Sequence, residues 1–346
     1  MNKHPIPHQL TLPLALLILA ILLPAPALAV TLKIATVSPD GATWMVKMRE
    51  GAKEIKKRTN NRVRIKFYPG GVMGNDASVL RKMRIGQLQG GAVTGGALAK
   101  LVPDTQIYQL PFLFGSQAEV DYVRKRLDPM LIEKLDAKGF VTFGFAGGGF
   151  AYFMSNNPVS SVADLQKQRV WLPVGDKVNH LVFDEAHISP IPLPVSDVMT
   201  SLQTGLIDTV AVSPVVAISL QWHTKFKYVM QTPASYIYAL LAVDKKAFKR
   251  IKPADQAIVR EVMARVFEDI DRQNRISDRQ ATEVMKQQGI KFVDIAPADL
   301  KEWKRIAAKA RAQMIRDGGY SDDFVAAVNT GLREYRAPGH HAQSSP

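Results

Sequence analysis

Hydrophobic and polar positions along the first part of the chain follow two periods. Residues 31–37 and 62–68 are apolar at every second position, as in strands with one buried face. The segment between them, 43–59, carries apolar side chains at intervals of three and four, which predicts an amphipathic helix. Strands that alternate with helices at this spacing imply β-α-β units and an α/β fold.

Three consecutive glycines, Gly147, Gly148 and Gly149, break a strand-rich stretch over 141–159. Glycine tolerates the dihedral changes that a hinge needs, so this stretch indicates a crossing from one lobe to another. A phosphate-binding loop is the alternative, but the glycine spacing matches neither of the usual nucleotide-binding motifs. The pattern therefore favours a two-lobed molecule with a glycine hinge.

A second α/β series follows the glycines. Its predicted elements are strands at 168–172, 189–193 and 207–212 and helices at about 175–187 and 196–205. Two later segments begin Pro-Ala-Asp, at Pro253 and Pro297, and predict helices with proline in the first turn.

The expected fold class is α/β, a two-lobed fold with a hinge and long C-terminal helices. The expected parts are a signal peptide (1–29), lobe I (30–150, with a segment returning at about 236–270), lobe II (151–235, with part of the C-terminal helices), a helical tail across both lobes (271–335) and a disordered end (336–346).

The first 29 residues differ from the rest of the chain. A basic start at Lys3 precedes an apolar run, and "APALA" ends the segment just before Val30. This order is typical of a secretory signal peptide cleaved after Ala29. A membrane anchor is the alternative, but the run is shorter than a span and contains Pro13. We expect an exported protein that is not itself embedded in the membrane.

Composition narrows the class of partner. The formal net charge of +14 could suit nucleic acid, but the basic residues are scattered at helical spacing opposite apolar positions, as on solvated helix faces. No basic strand with interleaved aromatics is present, so we expect no nucleic-acid partner. The chain has no cysteine, which leaves neither a disulfide nor a lipid-anchor site.

The sequence offers no catalytic set. It contains no H-E-x-x-H and no G-x-S-x-G motif. His180, Asp184 and His187 have the spacing of metal ligands on one helix face, and the alternative is an exposed helix edge. We expect no enzyme activity, no cofactor and no metal.

Five segments in this order carry a resemblance to a known family: "YPGGVMGND", "LVPDTQIYQLPFLFGS", "NNPVSSVADLQ", "PIPLPVSDVMTSLQTGLIDTV" and "FKYVMQTP". Together they resemble the substrate-binding proteins of TRAP transporters, the DctP family. The resemblance covers about residues 31–320. It implies a periplasmic receptor that captures a small organic solute, usually a carboxylate, between two lobes and delivers it to the TRAP permease membrane subunits. It also implies a long helix that spans both lobes.

The resemblance also locates a departure from the family. Members carry a strand of the form Lys-Ile-Arg-Val-Pro, whose arginine holds the ligand carboxylate. Here Arg169 falls on the lysine position and Trp171 on the arginine position, and strand alternation would place both on one face. A second arginine of many relatives corresponds to Ala151. An asparagine of some relatives falls near Val212, with Ser213 next to it.

The expected ligand site therefore lacks its usual polar contacts. Tryptophan has one N–H donor and a large apolar face, so the site favours a ligand less polar or larger than a C4-dicarboxylate. The predicted ligand-binding residues are Trp171, Ala151, Arg169, Val195, Val212, Ser213, Phe112, Thr94 and Trp222.

Two alternatives remain open at this point. Arg169 or another basic residue could hold a conventional carboxylate, or the receptor could serve a membrane sensor kinase. The sequence is compatible with a monomer or a homodimer.

Overall fold

The structure is a computed structural model that describes residues 29–338. Its strands are β1 (Val30–Thr36), β2 (Val63–Tyr68), β3 (Gly90–Thr94), β4 (Phe140–Val141), β5 (Phe145–Ser155), β6 (Trp171–Pro173), β7 (Ile191–Leu193), β8 (Thr209–Val212), β9 (Tyr228–Met230), β10 (Ser235–Asp244) and β11 (Lys291–Val293).

Helices pack on both sides of these strands. They are α1 (Thr43–Arg58), α2 (Asp76–Arg84), α3 (Gly95–Leu98), α4 (Gln117–Ala137), α5 (Val162–Leu165), α6 (Lys177–Glu185), α7 (Val198–Thr204), α8 (Pro214–Ser219), α9 (Lys245–Phe248), α10 (Pro253–Gln287), α11 (Pro297–Arg316) and α12 (Asp322–Arg336). Short 3-10 turns cover Pro103–Gln109, Val195–Asp197 and Trp222–Lys225.

A mixed sheet runs in the order β11-β9-β5-β10-β3-β1-β2, with β4 beside β10 and β8 beside β5. β6 and β7 form a separate parallel pair. β5 pairs with β10 through its first part and with β8 and β9 through its second part. It therefore passes from one lobe to the other, as the glycine-containing segment predicted.

Lobe I has a hydrophobic core on each face of its part of the sheet. One core joins α1 to α10 through residues such as Met48 and Val262. The other joins α2, α4 and α12, with Leu127 and Phe324 fully buried. Burial on both faces explains why strands such as β3 carry no exposed side chains.

Lobe II also has two cores. One packs α6 and α11 against the sheet, with Trp303 as its largest fully buried side chain. The other contains Trp171, Val212 and Trp222 together with α7, α8 and the end of α10. Both lobes thus have the sheet covered by helices on two sides, which is the α/β class expected from the sequence.

Helix α10 is 35 residues long, or about 50 Å at the rise of an α-helix. Its first half buries Val259 and Ile270 in the lobe I core, and Met285 near its end lies in a lobe II core. Helices α11 and α12 then pack on lobe II and lobe I respectively. Long C-terminal helices that contact both lobes are therefore a feature of the fold.

The hinge glycines have a second role besides conformational freedom. The pairing of β5 with β10 shifts register between Ile237 and Tyr238, opposite Gly147 and Gly149, which leaves a bulge at Gly148. Gly149 has φ +84°, and a Cβ atom there would lie 2.9 Å from the Asp278 carboxyl of α10. The glycines thus let α10 approach the crossing strand closely.

Several element boundaries differ from the sequence prediction. The strand expected at 168–172 covers only Trp171–Pro173, and β11 was not anticipated within the helical tail. Arg336, placed in the disordered end, is the last residue of α12. The rest of that end, 339–346, and the signal peptide up to residue 28 lie outside the described residues. Within 29–338, no helix combines the length and apolarity needed to cross a bilayer.

Candidate functional site

Trp171, the residue at the expected anchor position, is buried and only 5% exposed. Its Nε1–H donates to the Leu193 carbonyl oxygen at 2.9 Å, which ties β6 to the end of β7. Its ring meets that of Trp222 edge to face, with 5.3 Å between centroids. Val212 and the half-buried Val195 lie in the same hydrophobic cluster, so four of the predicted site residues come together here.

Arg169 does not share this environment. It precedes β6, its side chain is exposed, and its guanidinium lies 3.1 Å from the Asp208 carboxylate. Its backbone N–H also donates to Asp208 at 2.8 Å. The expectation that Arg169 and Trp171 lie on one face of a strand was therefore wrong. The strand is too short to include Arg169, and Asp208 holds the side chain at the surface.

Ser213 follows β8 and is fully buried. Its hydroxyl oxygen has no hydrogen-bond partner among the residues that the structure describes. Buried polar atoms are nearly always paired, so an unpaired hydroxyl at the end of a strand is a candidate contact for a bound solute.

Asp278 of α10 contacts the backbone two residues after Ser213. Its Oδ1 accepts the Val215 backbone N–H at 3.1 Å, and its carboxyl packs against Gly149. Burial raises the pKa of Asp278 to about 6. Burial, and then the charge of Asp278, raises the pKa of Tyr152 as well. Sequence reasoning missed Asp278, because the residues it contacts are distant along the chain.

Thr94 lies at the end of β3 in lobe I, beside Asp76 at the start of α2. Asp76 Oδ2 accepts from the Thr94 backbone N–H at 3.3 Å and from its hydroxyl at 3.1 Å. Burial raises the pKa of Asp76, although these two hydrogen bonds oppose the shift. The sequence analysis did not select Asp76, although an acidic residue at a helix start shortly after a glycine was an available signal.

Asp176 is a second buried carboxyl where the lobes meet. It caps α6 by accepting the Asn179 backbone N–H at 3.0 Å, and it accepts from Gln106 of lobe I at 3.3 Å. Burial raises its pKa. Val178, the second residue of α6, packs in a lobe I core. This contact joins the two lobes through residues that the sequence analysis did not select.

Phe112 and Ala151 both form backbone hydrogen bonds with Ala234. The Phe112 N–H donates to the Ala234 carbonyl at 2.7 Å, and the Ala234 N–H donates to the Ala151 carbonyl at 2.8 Å. Phe112 has φ +51°, and its ring stacks on Trp303 with 5.9 Å between centroids. These two predicted residues therefore lie at the crossing between lobes, apart from the Trp171 cluster.

The structure does not bring His180, Asp184 and His187 together as metal ligands. Helix α6 ends at Glu185, so His187 lies beyond it, with φ +53°. His180 Nδ1 instead lies 2.9 Å from Asp184 Oδ2 on the exposed helix surface. Among the described residues, no group of three or more histidine, aspartate or glutamate side chains is arranged to hold a metal ion.

Two surface cavities, of about 810 and 400 Å³, have other linings. None of the nine predicted ligand-binding residues lines either of them. The smaller cavity nevertheless lies beside the junction of the lobes, since Gln106 of lobe I and Lys177 and His180 of α6 line it.

Two α/β lobes joined by a crossing strand, with buried polar groups near their junction, define a bilobed solute-binding protein. The chain belongs to the bacterial extracellular solute-binding proteins of family 7, DctP, whose family model matches residues 34–317. This confirms the resemblance inferred from the five sequence segments. The members of this family are receptors and not enzymes.

The individual relatives that match this chain share a low sequence identity with it. A solute-binding protein of Verminephrobacter eiseniae is 28% identical over 211 residues, which cover 59% of this chain and 62% of the relative. The C4-dicarboxylate-binding periplasmic protein DctP of Rhodobacter capsulatus is 24% identical over 91% of this chain and 95% of its own. Alignments with the first three curated relatives span 62 to 66% of their lengths.

A solved structure shows the same fold. The Bordetella pertussis extracytoplasmic solute receptor DctP7, which binds pyroglutamic acid, superimposes with a TM-score of 0.80 at 22% identity. The match covers 88% of this chain and 100% of the receptor. The two-lobed α/β fold class expected from the sequence is thereby confirmed.

Proposed function

We propose that this chain is a periplasmic receptor that captures a small organic solute between its lobes and delivers it to the membrane subunits of a TRAP permease. The family membership and the fold support this role. The curated and structural relatives named above bind a C4-dicarboxylate and pyroglutamic acid, so an organic acid is the starting class.

The environment of Trp171 carries the proposal about ligand type. Tryptophan has a single N–H donor, and here that donor is already used by the Leu193 carbonyl. The indole can therefore offer a ligand only its apolar face or edge. An arginine at this position would offer a two-pronged charged contact to a carboxylate, which the indole cannot replace.

The structure does not favour the alternative in which Arg169 holds the ligand carboxylate in place of the usual arginine. Its guanidinium already faces Asp208 at the surface. Three of the ionisable groups near the lobe junction, Asp76, Asp176 and Asp278, are acidic. A dicarboxylate would meet like charge there whenever these groups are ionised.

We infer that the ligand is less polar or larger than a C4-dicarboxylate, with an apolar or aromatic portion against Trp171 and Trp222. The Ser213 hydroxyl and the Thr94 hydroxyl are candidate polar contacts. Such a site, mostly apolar with a few fixed polar groups, is the usual form of a small-molecule pocket.

A calorimetric panel tests this proposal. Dicarboxylates, 2-oxo acids, aromatic acids and neutral hydrophobic compounds are titrated into the wild type and into Trp171→Ala. Loss of the indole should weaken the best ligand by about 1–3 kcal/mol, the scale for a large buried apolar contact. Trp44→Ala, in a partly buried tryptophan of lobe I, is the matched control and should leave the affinity unchanged.

Tight succinate or malate binding that is insensitive to Trp171→Ala would mean that the anchor lies elsewhere. The identity of the membrane partner needs a separate observation. Permease genes beside the gene for this chain would support the transport role, whereas a sensor-kinase gene in their place would support the sensory alternative.

A further inference from the structure

The cavity of about 810 Å³ lies between α11, α12 and the segment around Leu113. Three arginines line it: Arg311 of α11 and Arg333 and Arg336 of α12. Thr330 and Asn329 add polar groups to the lining. We call this surface the arginine groove. It contains none of the residues assigned above to solute capture.

The charges of the groove are not balanced. Arg336 is paired, since its guanidinium donates to Glu119 at 2.7 and 2.9 Å. Neither Arg311 nor Arg333 has a carboxylate within 4.0 Å among the described residues. Among the residues 29–338, the hydrogen bond of Arg333 is with the Thr330 hydroxyl, at 3.3 Å. The groove therefore has an excess of two positive charges.

Arg311 is the more unusual of the two. It is half-buried, and its one described hydrogen bond runs from Nη1 to the Pro111 carbonyl at 2.6 Å. Burial lowers the pKa of Arg311, in line with the absence of a carboxylate partner among the described residues. A buried charge without a counter-charge is costly, and an anion that enters the groove would offset that cost.

The geometry points to a second binding site, in which the arginine groove holds a phosphate group. Arg311 and Arg333 project from different helices, so they suit a tetrahedral anion with several acceptor oxygens better than a planar carboxylate, which one guanidinium can satisfy. The two unbalanced charges match a phosphate dianion. This site goes beyond the proposed solute capture and does not depend on it.

The phosphate could be free or could belong to a lipid headgroup, and the experiment separates these sources. The purified full chain is titrated at constant ionic strength with inorganic phosphate and with glycerol 3-phosphate. In a second arm it is mixed with phosphatidylglycerol vesicles, with phosphatidylcholine vesicles as the reference. Saturable binding in the first arm indicates a free phosphate, and binding only to the anionic vesicles indicates a headgroup.

Matched variants assign the binding to the groove. Arg333→Gln, at an exposed position that cannot disturb the core, and Arg311→Gln should each weaken binding at least tenfold. Arg316→Gln removes the same charge from α11 outside the groove and should change it less than twofold. Trp171→Ala should have no effect, because that residue does not line the groove.

Three outcomes would overturn the inference. These are no saturable binding in either arm, an equal loss in Arg316→Gln and Arg333→Gln, which would indicate only the net charge, or succinate binding with the same affinity and the same dependence on Arg333.

Discussion

Asp278→Asn is the substitution whose effect the structure specifies most closely. The change keeps an acceptor for the Val215 N–H and nearly the same volume beside Gly149. It removes the ability of the side chain to ionise and replaces one carboxyl oxygen by an amide NH2 group. The variant should therefore be more stable than the wild type, and by an amount that depends on pH.

The sign of the stability difference follows from the raised pKa of Asp278. Above pH 6 the Asp278 carboxyl is ionised in both the folded and the unfolded chain, and the folded chain bears the full cost of a buried charge. Below its ordinary value of 3.8 the group is protonated in both states and that cost is absent. The contribution of Asp278 to stability is thus fully present below about pH 4 and is lost as the pH rises through 6.

The size of the stability difference follows from the same shift in the pKa of Asp278. The difference between a pKa of about 6 and the ordinary 3.8 corresponds to about 3 kcal/mol in the free energy of unfolding. We expect Asp278→Asn to exceed the wild type by about this amount at pH 8. The two proteins should become equal near pH 4.

Urea unfolding at pH 4, 5, 6, 7 and 8 measures the difference. Glu283→Gln is the control, because it makes the same carboxyl-to-amide change on an exposed side chain of the same helix. Its profile should run parallel to that of the wild type. If the Asp278→Asn profile also runs parallel, the buried carboxyl does not titrate as the structure implies and the argument fails.

Three further predictions concern the glycine at the crossing strand, the closure of the lobes and the first residue of the mature protein. Gly149→Ala should destabilise the fold by about 2 kcal/mol in urea unfolding, because φ is +84° and the new Cβ would meet Asp278, whereas Gly41→Ala, in open space, should be neutral. Solute binding should lower the radius of gyration in small-angle scattering, and an unchanged profile at saturation would indicate a rigid molecule. Intact mass of the exported protein should give Val30 as the first residue, and retention of residues 1–29 would contradict the predicted signal peptide.

The fold was largely predictable, because its signals are local. Alternation over 62–68 and the proline helix starts at Pro253 and Pro297 correspond to β2, α10 and α11 in the structure. The glycines expected at a hinge lie in β5, the strand that pairs with both parts of the sheet, and their role as a hinge stays a prediction. What the sequence could not reveal is that they accommodate the carboxyls of α10, since that contact joins segments far apart along the chain.

The site was less predictable for a related reason. The resemblance selected Trp171, and the structure places it with Val195, Val212 and Trp222. Arg169 was misplaced because Asp208, a tertiary partner, decides where its side chain lies. Asp76 and Asp278 owe their shifted pKa values to burial by other segments, which no local pattern encodes.

The position of β10 has a consequence for the order in which the chain can fold. β10 lies between β3 and β5 and pairs with both, yet it begins only at Ser235. A nascent chain that ends before this strand has a gap in the middle of the lobe I sheet, and it lacks the α10 side chains that close one of the two lobe I cores. Lobe I, although it contains the N-terminal strands, is therefore completed only after strands β6 to β9 of lobe II have been synthesised. A protein translocated from its N-terminus would remain without a finished first lobe during most of its passage.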